Sequence, residues 1–256
     1  MKTKADIVKD WLPRYTGRPL EEFGQYILLT NFAYYVELFA ERFGVDVVGR
    51  NLPMQSATGD GITILNFGMG SAMAATVMDL LSAIAPKAVL FLGKCGGLKK
   101  TKVGDFILPI AAIRGEGTSN DYLPPEIPAL PSFRLQKAVS ATIVKHGLDY
   151  WTGTIYTTNR RVWEHDEKFK EYLRTNRIMG IDMETATIFV VGFVNHIAKG
   201  ALLLVSDSPM APDGVKTSRS DKSVTEKYAK PHLDIGINSL TELRDSGESV
   251  MHLRFE

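Results

Sequence analysis

The sequence has 256 residues, 45% hydrophobic and 23% charged, an ordinary globular balance and long enough for one large α/β domain. Its 30 basic and 29 acidic residues leave a net charge of +1, which excludes a broad cationic field for holding nucleic acid. No apolar run approaches the ~18 residues needed to span a bilayer, residues 1–12 lack the apolar centre of a signal peptide, and the single cysteine, Cys95, excludes an intrachain disulfide and fits a cytoplasmic location.

The predicted elements alternate between strand and helix. Residues 26–29 (Tyr-Ile-Leu-Leu) read as a short buried strand. Thr30 and Asn31 supply the cap for a helix over 32–43, whose Phe32, Val36, Phe39 and Phe43 fall on one face. Residues 62–67 form a second strand, stopped by Gly68-Met69-Gly70. Ser71 is placed to cap the next helix, where Met73, Val77, Leu80, Leu81 and Ile84 form a stripe. Residues 88–92 make a third strand that ends in Gly93-Lys94-Cys95-Gly96-Gly97, and 106–113 a fourth, broken at Pro109. Four prolines mark 123–131 as an extended loop. The spacing then predicts a helix over 132–146, a strand over 153–157 and a helix over 164–175. A helix over 184–198, a strand over 201–205, a polar loop over 209–222 and a closing helix over 223–244 complete the chain.

No linker rich in Pro, Gly or Ser divides the chain, so residues 1–256 are expected to form one domain. The alternation predicts an α/β fold of three α/β/α layers around an open, mostly parallel sheet. In such sheets ligands bind beyond the carboxyl ends of the strands, where Thr30, Gly68, Lys94 and Asp207 fall.

Two carboxylates stand out. Within Gly180-Ile-Asp-Met-Glu-Thr-Ala-Thr187, Glu184 lies where a short run enters a helix; some twenty residues later the apolar run 201–205 ends in Ser206-Asp207. Such a pair suits a pocket that grips a vicinal diol and protonates a leaving group, which points to a small-molecule enzyme acting on a nucleoside or nucleotide. Glu184 can also be read as a helix-terminal charge, and Asp207 as the cap of the following turn. A carboxylate directly after Leu-Leu-Leu-Val-Ser is partly desolvated, however, which raises its pKa and lets it carry a proton near neutrality. Gly68 and Gly70 let backbone N–H groups approach an anion at a helix start, although Met73 replaces the third glycine of the dinucleotide fingerprint. Lys94 can aim a cation at an oxyanion, while Cys95 reads as packing. The five histidines show no zinc-ligand spacing, and neither a metal nor a cofactor is expected.

Gly93-Lys94-Cys95-Gly96-Gly97, Gly104-Asp105, Asp182-Met183-Glu184 and Ser206-Asp207 follow one another in the order of the nucleoside phosphorylase/nucleosidase superfamily. The chain resembles its AMP nucleosidase branch, with further matching blocks at Leu123-Pro124-Pro125, Thr157-Thr158-x-x-Arg161-x-Trp163-Glu164 and His232-Leu233-x-Ile235-Gly236. The likeness runs from about residue 61 onward. Longer members of that branch carry an extra N-terminal regulatory domain, so the resemblance implies the catalytic part alone.

The resemblance also implies roles. Asp207 protonates, or hydrogen-bonds, N7 of adenine, with Ser206 and Gly96 beside it in the matching blocks. Glu184 binds the ribose hydroxyls and Met183 packs against the sugar. Gly68 and Gly70 lie near the sugar or its attacking group, and Arg161 and Trp163 border the base pocket. Candidate cations for a 5′-phosphate are Lys94, Arg160, Arg161, Lys216 and Arg219, with Thr30 and Asn31 as neutral donors. Phosphorylases of the superfamily carry an Arg two residues before the first Gly of the Gly-x-Cys-Gly block and a Ser or Thr just after it. Here those positions are Phe91 and Lys94. Phenylalanine cannot make the bidentate phosphate contact of an arginine, which favours water as the nucleophile.

The implied activity is hydrolysis of AMP to adenine and ribose 5-phosphate, by a homo-oligomer expected to be a hexamer, with a small nucleotide rather than nucleic acid or membrane as its partner. A purine nucleoside phosphorylase or another nucleosidase of the same fold is the alternative. A non-catalytic nucleotide-binding protein is the alternative of another class.

Overall fold

Residues 2–247 are described by this computed structural model; the part of the expected domain at 248–256 lies outside the described residues. In chain order the elements are α1 (Lys4–Thr16), β1 (Tyr26–Thr30), α2 (Ala33–Phe43), β2 (Gln55–Gly59), β3 (Ile62–Asn66), α3 (Ser71–Leu81), β4 (Ala88–Gly97), β5 (Phe106–Gly115), α4 (Phe133–Lys145), β6 (Tyr150–Thr158), α5 (Glu167–Thr175), β7 (Gly180–Asp182), α6 (Thr185–Val194), β8 (Lys199–Asp207) and α7 (Ser218–Ser246).

Side chains alternate across each strand, and the apolar strands exploit this to bury both faces. On one face, Ile27, Leu29, Phe91 and Leu203 pack against Leu12 of α1, Met78 and Leu81 of α3, and Ile188 and Phe189 of α6. On the other, Leu28, Leu90 and Leu202 pack against Tyr35 and Phe39 of α2, Leu135 and Val139 of α4, and Leu233 and Leu240 of α7. Each fully buried Leu or Phe contributes roughly 1.5–3 kcal/mol. His232 belongs to the second face: its ring nitrogens lie 3.0 Å from the Tyr35 hydroxyl and 2.9 Å from the Leu202 carbonyl, and burial pushes its pKa down to about 4. It is a neutral core residue.

The sheet departs from the expected open, mostly parallel form. Its order is β2-β3-β1-β4-β7-β6-β5-β8, and β8 pairs back onto β4. Parallel pairs join β1 to β3 and β4, β4 to β8, β5 to β6 and β6 to β7. Antiparallel pairs join β2 to β3, β4 to β7 and β5 to β8. The α/β class stands, but the sheet is mixed, and β4, β7, β6, β5 and β8 close into a ring.

The cause lies in β4. Its residues 88–92 pair with β1, but the strand outruns β1, and Gly96 and Gly97 pair antiparallel with Ile181 and Gly180. The glycines permit this crowding. A Cβ on Gly97 would fall 2.2 Å from Thr101 Oγ1, and one on Gly96 would fall 3.0 Å from Pro209. Gly93 to Gly97 is therefore buried strand, not the exposed turn its composition predicts. In β5 the chain passes Pro109 through a bulge rather than stopping.

Strands β1, β3, β4 and β8 run parallel, with Thr30 in register with Asn66 and Leu92, and Gly96 with Asp207. Their carboxyl ends open onto one side of the sheet.

Candidate active site

A cavity of about 260 Å³ lies at that side, lined from the ends of β1, β4, β6, β7 and β8 and the start of α7. Both singled-out carboxylates, Glu184 and Asp207, face it, together with Asn31, Lys94, Gly96, Arg161, Trp163, Met183 and Ser206. Thr30, Gly68 and Gly70 are not among the lining residues.

Glu184 is positioned by a division of labour at the β7–α6 junction. Asp182 caps the helix: its carboxylate accepts from the Thr185 N–H at 2.9 Å and from the Thr157 hydroxyl at 2.7 Å, and that hydroxyl accepts from Ala186 N–H at 2.9 Å. Glu184 stands just before the helix and makes no capping bond, so the helix-terminal reading of its charge is set aside. Its carboxylate turns the other way. Oε1 accepts from Gly70 N–H at 2.7 Å, Oε2 from Met183 N–H at 3.2 Å, and the Asn31 amide donates to it as well. Burial pushes its pKa up to about 7, the negative charge of Asp182 adds to this, and the three N–H donors pull the other way.

The β3–α3 turn holds this arrangement. Gly68 and Gly70 both have positive φ, +85° and +93°, which a side chain tolerates poorly. Gly70 directs its N–H at Glu184, so the turn expected to cradle an external anion cradles a carboxylate of the protein itself. Ser71, expected as a cap, is the first helical residue; its hydroxyl donates to the Met183 carbonyl at 2.6 Å. Thr30 is fully buried, and its hydroxyl accepts from Phe32 N–H at 3.3 Å, so it shapes the loop and not the cavity surface.

Asp207 ends β8 with its side chain 12% exposed. Burial raises its pKa above the usual Asp range; the Ser206 hydroxyl at 2.7 Å, Lys216 and Arg161 lower it in part, and Glu164 raises it. Lys216 Nζ stands 3.8 Å from Asp207 Oδ1 and 3.5 Å from Asp221 Oδ1. Trp163 is buried against Leu98, Leu173, Ile178 and Ile181 and forms one apolar wall. Arg161 is half-exposed, 3.5 Å from Glu164 Oε1.

Lys94 is not a free cation. Its side chain is 3% exposed, and its ammonium donates to Asp221 at 2.9 Å and Thr225 at 2.6 Å and lies 4.4 Å from the centre of the Phe32 ring. Burial lowers its pKa, and Asp221 opposes that shift. Phe91 points away from the cavity, fully buried with its ring 5.8 Å from that of Phe67. Burial pushes the Cys95 thiol up, which suits packing and not nucleophilic attack.

Sequence reasoning missed Phe32, Met69, Thr158, Glu164 and Asp221 as lining residues. Asp221 was assigned to a polar loop, yet Thr217 caps α7 earlier than the apolar stripe begins, accepting from Ser220 N–H at 3.1 Å. Met69, 62% exposed between two glycines, has no periodic signal to mark it.

A model of the phosphorylase superfamily matches residues 25–237. The chain belongs to the phosphorylase superfamily. Among solved structures of similar proteins, the AMP nucleosidase of Bacteroides thetaiotaomicron shares 56% identity with this phosphorylase-superfamily chain, over 96% of it and 99% of the other chain, with a TM-score of 0.87. The AMP nucleosidase of Escherichia coli K12 is 31% identical over 96% of the chain, which spans about 60% of the length of that curated relative. The uridine phosphorylase of Vibrio fischeri, 20% identical over 87% of the chain and 93% of the other with a TM-score of 0.76, shares the fold.

Proposed function

We propose that the protein hydrolyses the N-glycosidic bond of AMP, giving adenine and ribose 5-phosphate. The observation that carries this reading is that one cavity holds two buried carboxylates, Glu184 and Asp207, both raised in pKa chiefly by burial. The likeness to two AMP nucleosidases supports the choice of substrate.

Adenine leaves poorly as an anion. Asp207, whose pKa burial raises, gives a proton to N7, and the electron pair of the C1′–N9 bond passes to the purine. Positive charge then develops on the ribose ring. Glu184 faces the sugar hydroxyls and stabilises that charge as an anion in a site with little water. Water attacks C1′ from the face opposite the base. Acid catalysis of this kind is typically worth ~10²–10⁴-fold. The apolar wall at Trp163 suits the purine face, and the cations on the cavity surface for the 5′-phosphate are Lys216, 23% exposed between Asp207 and Asp221, and Arg160, 47% exposed beside Asp166.

Water rather than orthophosphate is favoured as nucleophile. The Phe91 ring lies in the core, and Lys94 is already neutralised by Asp221, so neither supplies a free phosphate ligand. The described residues act as one catalytic unit in this reading, in a homo-oligomer and a cytoplasmic setting. The test is Asp207→Asn: turnover falls ~10²–10⁴-fold while AMP binding by calorimetry changes little. Near-normal turnover removes Asp207 from the acid role.

A further inference from the structure

The sugar end of the cavity contains a mismatch between donors and acceptors. A carboxylate offers about four lone-pair directions. Two of those of Glu184 are taken by Gly70 N–H and Met183 N–H, and the pull of the Asn31 side chain toward the charged form sets its amide at a third. One remains, yet a vicinal diol brings two hydroxyl donors. Beside it stands an acceptor with nothing to accept: Asn31 Oδ1 is buried and has no hydrogen-bond partner. The Asn31 orientation is set by its own neighbour: Asn31 favours the charged form of Glu184, which only accepts, so the amide nitrogen faces Glu184 and the carbonyl oxygen is the atom left over. Asn31 lines the cavity immediately after β1. Buried polar atoms in native proteins are nearly always paired, and a hydroxyl donor entering the cavity would pair this one.

We propose that Glu184 and Asn31 divide the ribose diol, one hydroxyl donating to the Glu184 carboxylate and the other to Asn31 Oδ1. Asn31 is then a residue that selects a ribo-sugar over a deoxy-sugar, a role different from the phosphate-donor role expected for it. The inference rests on the nucleosidase reading and sharpens its sugar subsite.

The test compares kcat/KM for AMP and for its 2′-deoxy and 3′-deoxy analogues, with unaltered enzyme and with Asn31→Ala. A polar group left unpaired in a buried site costs about 10- to 100-fold in the equilibrium it opposes. Unaltered enzyme therefore disfavours both analogues. In Asn31→Ala, activity on AMP falls about 10- to 100-fold. The analogue lacking the hydroxyl that Asn31 holds falls by much less than AMP, and discrimination against the other analogue persists. Loss by the same factor on all three substrates, or discrimination unchanged, overturns the assignment of Asn31 and leaves the nucleosidase reading intact. Failure of the unaltered enzyme to release adenine from AMP overturns both. The comparison is a ratio within one sample, so a partly folded variant does not distort it, and Asn31→Ser serves if Asn31→Ala does not accumulate.

Discussion

Glu184→Gln tests whether the site holds its sugar-facing acid at a thermodynamic cost. In the folded protein the Glu184 carboxyl is raised from its ordinary 4.5 to about 7, first by burial and then by Asp182. The folded state thus keeps a proton that the unfolded chain has already released. The stabilisation is fully present below pH 4.5, falls as the pH climbs, and is gone once the pH passes about 7. A shift from 4.5 to about 7 corresponds to ~3 kcal/mol, of which ~2–3 kcal/mol is lost between pH 5 and 8. Glutamine cannot ionise and lacks this slope. Replacing one carboxylate oxygen by an amide also disturbs the contacts with Gly70, Met183 and Asn31, but that penalty does not vary with pH and cancels in the comparison. Urea unfolding of both proteins at pH 5 and pH 8, at one protein concentration, measures the gap. Relative to the unaltered protein, the variant gains ~2–3 kcal/mol on going from pH 5 to pH 8. A gap that is the same at both pH values refutes a Glu184 carboxyl raised by burial.

Other perturbations follow from the charges around Asp207 and Lys94. Lys216 and Arg161 hold the Asp207 pKa down and Glu164 holds it up. Lys216→Met therefore moves the alkaline limb of the pH–rate profile to higher pH, and Glu164→Gln moves it lower; shifts of the opposite sign exclude Asp207 as the group that must be protonated. Asp221→Asn removes the counter-charge of the buried Lys94 ammonium and lowers unfolding free energy by ~1–3 kcal/mol in urea titrations.

Asp207 and Glu184 were legible in the sequence for a physical reason. Asp207 follows an apolar run that ends a strand, where little water reaches it, and Glu184 stands where a short run enters a helix. The helices α2 and α3 were legible from the spacing of their apolar residues. What escaped detection lacked such a pattern. Strand β2, Gln-Ser-Ala-Thr-Gly, is an edge strand with little apolar content, and β7 is three residues long and held by its neighbours. Helix α1 begins with a Thr3–Asp6 capping box among charged residues and was not recognised. The glycines of β4 imitated a turn because composition does not reveal close packing; only the positions of Thr101 and Pro209 show why those residues must lack a side chain. For the same reason the sheet's closure was invisible, since it depends on which strand meets the overhang of β4.

On the proposed reading, two carboxylates and one water break AMP without help from orthophosphate. The most direct test is chromatography of the products after the purified protein is incubated with AMP in phosphate-free buffer, beside an Asp207→Asn sample. The expected result is adenine and ribose 5-phosphate in equal amounts from the unaltered protein and almost none from the variant. Intact AMP, or adenine that forms only when orthophosphate is added, contradicts it.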